Sequence, residues 1–434
     1  MKNYLLQFLF FITSFSVIAQ STYYVKAGGA NVAGGGLSEA AAFSTVSYAV
    51  GVAVDGDKII VVGPINQSGQ VAIDKTLTIE GQTDAVITST GTTRMYNISA
   101  AGKTVTFKNI TLQNANSSIQ GAVINLTLNS DVIIDGCTFL NNATSNNGGV
   151  ILAGAAGDLI ITNSLFNGNS AVRGGVVSVT STGRKLTVSQ STFVNNTSSN
   201  DGGVMYLGAG NTESSITNST FFNNSVTSGT NQSKGGALRI EGARPFTIEN
   251  CLIYGNIATD GTTTADSDLG LVAGVSLSLV NSLTKKIVPE LDAGDTYNTS
   301  IIEADLSASN LRFDATLGKV IYDNVAVGVD SPIDFGSDGN DAGSWDSGYT
   351  LSLNDFDVSN VMVIYEKQSK RLRIQHSSDK QINVEIYNVL GVKVLSANNI
   401  QDNQSIDVNN LNSGLYFVVA RNSDRSVTKK TLIN

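Results

Sequence analysis

The sequence predicts an all-β protein: a single-stranded parallel β-helix of about eight coils with an N-terminal helical cap, followed by a small antiparallel β-sandwich. Three observations carry this. Nearly the same words recur along the chain, as in "CTFLNNATSNNGGV", "STFVNNTSSNDGGV" and "STFFNN" followed by "KGGALRI". Within each recurrence apolar residues alternate with a period of two, which is the period of a strand. Beyond about residue 361 the repeat stops, and longer alternating runs broken by Gly-containing turns take over.

The repeat defines the coils. Gly81, Asn109, Gly136, Asn163, Gln190, Asn218, Asn250 and Asn281 each close an alternating run such as "VIID" or "LIIT", at spacings of 28, 27, 27, 27, 28, 32 and 31 residues. No single unit of this size buries its own apolar face, so stacked units share one core. Three short strands per unit are expected, with coils ~4.8 Å apart. Val132, Ile134, Cys137 and Phe139 then point inward, as do Leu159, Ile161, Ser164 and Phe166 one coil on. A further strand after each double glycine adds Ile151 and Ala153, Val177 and Val179, Met205 and Leu207, and Leu238 and Ile240.

Columns follow from stacking. Phe139, Phe166, Phe193 and Phe221 form one, extended by Leu112 and Ile253. Asn142, Asn169, Asn196 and Asn224 form another, where side-chain amides can bond the turn backbone and one another. The paired glycines supply a tight corner with positive φ. Cys137 and Cys251 share a column with Ser164, Ser191 and Ser219 between them, so they stand four coils apart. That is ~19 Å, beyond the ~7 Å Cα separation a disulfide allows. Two free, buried thiols are expected.

The ends read differently. Residues 1–19 have a Lys2 start, an apolar run from Tyr4 to Ile18 and Ala19 before the expected cleavage, the pattern of a signal peptide. No later apolar run is long enough to span a bilayer, so no transmembrane segment is expected in the mature protein. Residues 20–62 form the cap, with a short helix capped by Ser44 whose Val46, Ala49, Val50 and Ala53 share one face. The β-helix follows over 63–310, and residues 311–358 form an acidic closing turn and linker. Within the latter, Asp334, Asp338 and Asp341 are the weaker alternative of a calcium site, although their spacing matches no EF-hand. No other cofactor is expected.

The words themselves resemble known families. "FLNN", "FNGN", "FVNN" and "FFNN", each coupled to "GGVI", "GGVV", "GGVM" or "GGAL", are similar to the repeats of polymorphic outer-membrane proteins, over about residues 105 to 257. That resemblance implies a right-handed β-helix and a role in surface display or adhesion. The order of cap and first strands resembles pectate-lyase-like β-helices. Ser331, Pro332, Ile333, Asp334 and Gly336 resemble the closing turn of many bacterial β-helix proteins.

Residues 359–434 resemble the type A C-terminal sorting domain of the type IX secretion system, through "VEIYNVLGVKV", "IDVNNLNSGLYFV" and the late "KK". The family's opening Tyr-Pro-Asn-Pro is replaced here by "YEKQ" from Tyr365. Membership implies engagement of the secretion machinery of a diderm bacterium through this segment, and a secreted or outer-membrane-attached product. Charge divides at the same place. Residues 360–434 hold ten Lys and Arg against six Asp and Glu, whereas the remainder holds 17 against 30.

Composition excludes several functions. A net charge of -9 with no concentrated basic surface argues against nucleic acid as partner. The single histidine, His376, falls in the sorting segment, so the β-helix has neither a His-based triad nor a His-rich zinc site. Outward on the first strand stand Thr106, Ile133, Ile160, Thr187, Ser215 and Thr247, which is no ladder of catalytic acids. The residue before each double glycine is more informative, running Asn147, Arg173, Asp201, Lys234, with Tyr206 and Arg239 projecting nearby. A groove of Arg173, Asp201, Tyr206, Lys234 and Arg239 suits an acidic sugar by charge and stacking.

The sequence therefore favours a non-catalytic surface protein that contacts a glycan or another cell-surface ligand. The alternative is a polysaccharide lyase acting on uronic-acid polymers, with Lys234 or Arg239 as base.

Overall fold

The computed structural model describes residues 20–208 without a break, most of 213–288, short strands between 296 and 326, and most of 362–433. The expected signal peptide at 1–19, the turn at 331–336, the three candidate calcium ligands and His376 lie outside these residues. The chain divides into two compact units, Met1–Tyr349 and Thr350–Asn434.

The first unit is a parallel β-solenoid of about seven turns. Among the described residues, four sheets run along it, with eleven, nine, seven and nine strands in the order one coil visits them. A middle coil shows the plan: Asp131–Asp135 in the first sheet, Thr138–Leu140 in the second, Ala143–Thr144 in the third and Ile151–Ala153 in the fourth. The sequence suggests three strands per coil, and the structure has four. The additional strand is short and polar, so it carries almost no hydrophobic alternation by which to be seen.

The corners explain the recurring words. Asn109, Gly136, Asn163, Gln190, Asn218 and Asn250 all have φ between +47 and +63°, and they turn the chain from the first sheet into the second. Non-Gly residues seldom tolerate this region, Asn best among them. In "FLNN" the first Asn, Asn141, takes the same left-handed form, and the second, Asn142, turns inward and is fully buried. The double glycine has two separate reasons. The first member has positive φ, as at Gly202. The second passes so close to the next coil that a Cβ on Gly203 would stand 1.9 Å from the Gly236 carbonyl.

Inside, one continuous apolar cluster extends from Val25 to Ile287. Phe139, Phe166, Phe193 and Phe221 stack with centroids 4.6 to 4.8 Å apart and ring planes within 10°. Leu112 and Ile253 continue the column in register. Cys137 N–H donates to Ser164 Oγ, Ser164 N–H to Ser191 Oγ and Ser191 N–H to Ser219 Oγ, at 3.1 to 3.3 Å. Both cysteines are free and buried.

The cap differs in two details. Its helix spans Val46–Val52, and Thr45 rather than Ser44 accepts the Tyr48 N–H. Asn31 Oδ1 has already engaged the Ser44 N–H, which places Ser44 outside the cap position. The solenoid also starts earlier than expected, because Thr22–Lys26 pairs in parallel with Lys58–Val62, and the helix is inserted between the first two strands of the first sheet. Val46, Ala49, Val50 and Ala53 join the core cluster beside these strands.

Within the stretch read as closing turn and linker, Leu311–Asp314, Lys319–Tyr322 and Val325–Ala326 form an antiparallel meander. Its Val320 is buried against Val194, Leu252, Tyr254 and Leu283, the outward residues of the second sheet, with Phe313 beside them. Among its described residues the second unit is antiparallel, with a three-stranded and a four-stranded sheet around Leu372, Ile374, Val384, Ile386, Ile406 and Val418. This is the expected small sandwich.

Candidate functional site

The corner between the third and fourth sheets sets the candidate residues in a row. Gly148 N–H donates to the Arg173 carbonyl, Gly174 N–H to that of Asp201, and Gly202 N–H to that of Lys234, each at 2.9 Å. Consecutive coils therefore hold Asn147, Arg173, Asp201 and Lys234 one strand spacing apart. On the fourth sheet the outward partners in register are Asn125, Leu152, Ser178, Tyr206 and Arg239.

The structure brings all five predicted residues together. Asp201 is 1% exposed, and it forms ion pairs with Arg173 Nε through Oδ2 and with Lys234 Nζ through Oδ1, both at 2.9 Å. The Lys234 contact lies outside hydrogen-bond geometry, so its attraction is Coulombic. Burial of an unpaired carboxylate would be costly, and two cations offset it here. The Arg173 guanidinium lies over the Tyr206 ring, 5.1 Å from its centroid, an arrangement favoured by the ring quadrupole.

One further member was missed by reading the sequence. The Tyr206 hydroxyl donates to Glu241 Oε2 at 2.7 Å, and Arg239 Nε donates to Glu241 Oε1 at 3.2 Å. The signal was present, since Glu241 follows Arg239 by two and so shares its face of the strand. Burial, and then the Glu241 bond, push the Tyr206 hydroxyl up to about 12. It stays protonated and acts as a donor. Arg173 and Lys234 thus face Asp201, and Arg239 faces Glu241, on an otherwise acidic unit.

Other chemistry finds less support. Among the described residues no three His, Cys, Asp or Glu side chains are grouped to hold a metal. The thiols of Cys137 and Cys251 are pushed up to about 12 by burial, which leaves them protonated and poor nucleophiles. A polar recess of about 530 Å³ lies at the corner lined by Gln82, Asp84, Asn109, Thr111 and Thr138, away from every predicted site residue. Among the described residues no helix is long and apolar enough to cross a membrane.

Comparison with known proteins assigns the second unit. Residues 368–434 match the family model of the secretion system C-terminal sorting domain. No curated protein and no solved structure matches the chain. The chain therefore carries a type IX sorting domain that engages that secretion machinery, and it is a secreted or cell-surface protein of a Bacteroidetes-type bacterium.

Proposed function

We propose that the exported solenoid is a non-catalytic adhesion module that contacts glycans, or a glycan-bearing cell surface, through the cluster from Arg173 to Glu241, and that it remains attached at the outer membrane. One observation carries the reading. The ionised side chains of the cluster are committed to one another: Asp201 to Arg173 and Lys234, and Glu241 to Arg239 and the Tyr206 hydroxyl. Such a network fixes the shape of a surface rather than leaving a base open toward a substrate proton. Tyr and Arg are also the side chains that most often anchor recognition surfaces.

The lyase reading requires Lys234 or Arg239 to take a proton from a uronic-acid residue. Lys234 instead directs its ammonium at Asp201, and Arg239 its Nε at Glu241. The test uses the full chain on a glycan array and, in parallel, with polyuronates under ultraviolet absorbance at the wavelength of unsaturated ends. Binding without turnover is expected. Turnover that disappears in Lys234→Ala would replace this function with the lyase. Protease shaving of intact cells tests attachment, with loss of the protein from the cell fraction as the expected result.

A further inference from the structure

We infer that Arg173 is a specificity-determining fork for a carboxylate or sulfate group on an anionic polysaccharide, with Asp201 and Tyr206 as its positioning residues. This rests on the glycan-contact reading and names the chemical class of the ligand.

The three cations of the cluster differ in what they present. The Arg173 side chain is 41% exposed, against 18% for Lys234 and 12% for Arg239. Its Nε faces Asp201, and its plane lies on Tyr206. The two Nη nitrogens make no hydrogen bond among the described residues. Four N–H donors in a fixed plane are left to the outside, in the geometry that meets two oxygens of one anion at once.

Preorganisation strengthens the case. A free arginine loses much rotamer entropy on binding, whereas this one is already held through its Nε and across its face. Tyr206 is held in turn, because Glu241 accepts its hydroxyl. In the outward row beside Tyr206, Ser178 is fully buried and its hydroxyl has no partner. A buried donor left idle is unfavourable, so the row beside Tyr206 is under-satisfied as it stands. The row of Arg173, Asp201 and Lys234 runs along the solenoid axis, so a linear polymer lying along it meets several coils.

A lysine in place of Arg173 keeps the charge and loses the fork, which separates specific recognition from general attraction. The full chain is titrated by calorimetry with polygalacturonate, with dextran sulfate and with neutral dextran, beside Arg173→Lys and Arg173→Gln, each first checked for unchanged thermal unfolding. Binding to one or both anionic polymers and none to neutral dextran is expected, and whichever anion binds identifies carboxylate or sulfate as the source. Arg173→Lys should weaken that binding by about tenfold, the loss of one charge-assisted bond. Equal binding by wild type and Arg173→Lys would overturn the fork. Neutral dextran binding as well as the anionic polymers would overturn it too, while leaving glycan contact standing. Silence across both the titrations and the array would remove both readings.

Discussion

Asn256 Nδ2 donates to Asp268 Oδ1 at 2.8 Å, and this bond ends the buried amide ladder that passes through Asn142, Asn169, Asn196 and Asn224. Every rung points the same way: the amide of one coil donates to the Oδ1 of the next, which also takes the backbone N–H. Beyond Asn256 the hairpin of Ile257–Asp260 with Thr263–Asp266 folds back and ends the third sheet, and Asp268 arrives where another Asn would otherwise stand. A carboxylate accepts on both oxygens, and Thr284 donates to the second at 3.1 Å. Asp268→Ala leaves two donors of Asn256 without an acceptor and should cost ~3 kcal/mol or more. Asp268→Asn retains the accepting oxygen and should cost ~1 kcal/mol. Denaturant unfolding of the two variants checks the difference.

The phenylalanine column makes a separate prediction. Phe193 is fully buried between two parallel rings, at 4.8 and 4.6 Å. Phe193→Ala opens a cavity in the middle of the stack and should cost ~4 kcal/mol. Leu112 and Ile253 fill the same column at its two ends, so Phe193→Leu should cost only ~1 kcal/mol. Equal losses for the two variants in denaturant unfolding would mean that ring stacking, not volume, dominates the column.

Arg184 is fully buried and opens the first-sheet strand Arg184–Ser189, where the chain returns from the fourth sheet. Its Nε donates to the Ala155 carbonyl at 2.7 Å and its Nη1 to the Ser130 carbonyl at 2.8 Å, which ties turns of three coils together. Burial lowers its basicity to about 10, and Asp131 and Asp158 oppose that fall. Gly157 makes room, since a Cβ there would stand 2.5 Å from the Ser130 carbonyl that Arg184 reaches. Arg184→Met fills the volume and removes both donors, so a cost of ~2 kcal/mol is expected. Hydrogen exchange should quicken locally at residues 127–131 and 154–158 before the rest of the solenoid.

Much of this was legible in advance because stacking in register makes one residue testify for its neighbours. Phe139, Phe166, Phe193 and Phe221 recur at one place in the repeat, and Asn142, Asn169, Asn196 and Asn224 at another, so their columns could be drawn before any coordinates. The double glycines fixed the register of Arg173, Asp201 and Lys234 in the same way. What escaped has a common cause. Ala143–Thr144 is too short to show a period, and Thr45 replaces Ser44 as the cap because of Asn31, which is distant in sequence. The contact of Val320 with Val194 and Leu252 belongs to tertiary packing, for which the local sequence of Lys319–Tyr322 has no marker. Glu241 was readable from its spacing to Arg239, but it lies beyond the motif that drew attention to the row.

The cysteine column carries a prediction about pH. Burial raises both thiols from the ordinary value of 9.0 to about 12. The folded value thus lies above the unfolded one, so the neutral thiols' contribution to stability is complete below pH 9 and is lost as pH rises toward about 12. Ser164, Ser191 and Ser219 occupy the same column, bond the backbone there and carry no comparable titration. Serine is therefore the replacement the solenoid already accepts. Cys137→Ser with Cys251→Ser should fold, and between pH 9 and 11 it should lose less stability than the parent chain. Buried tyrosines such as Tyr96 titrate in both proteins, and the comparison cancels them. In the parent chain at pH 8 a thiol reagent should count almost no reactive sulfur until denaturant is added, and then two. Rapid modification of the folded protein would mean that the column opens far more readily than its packing implies.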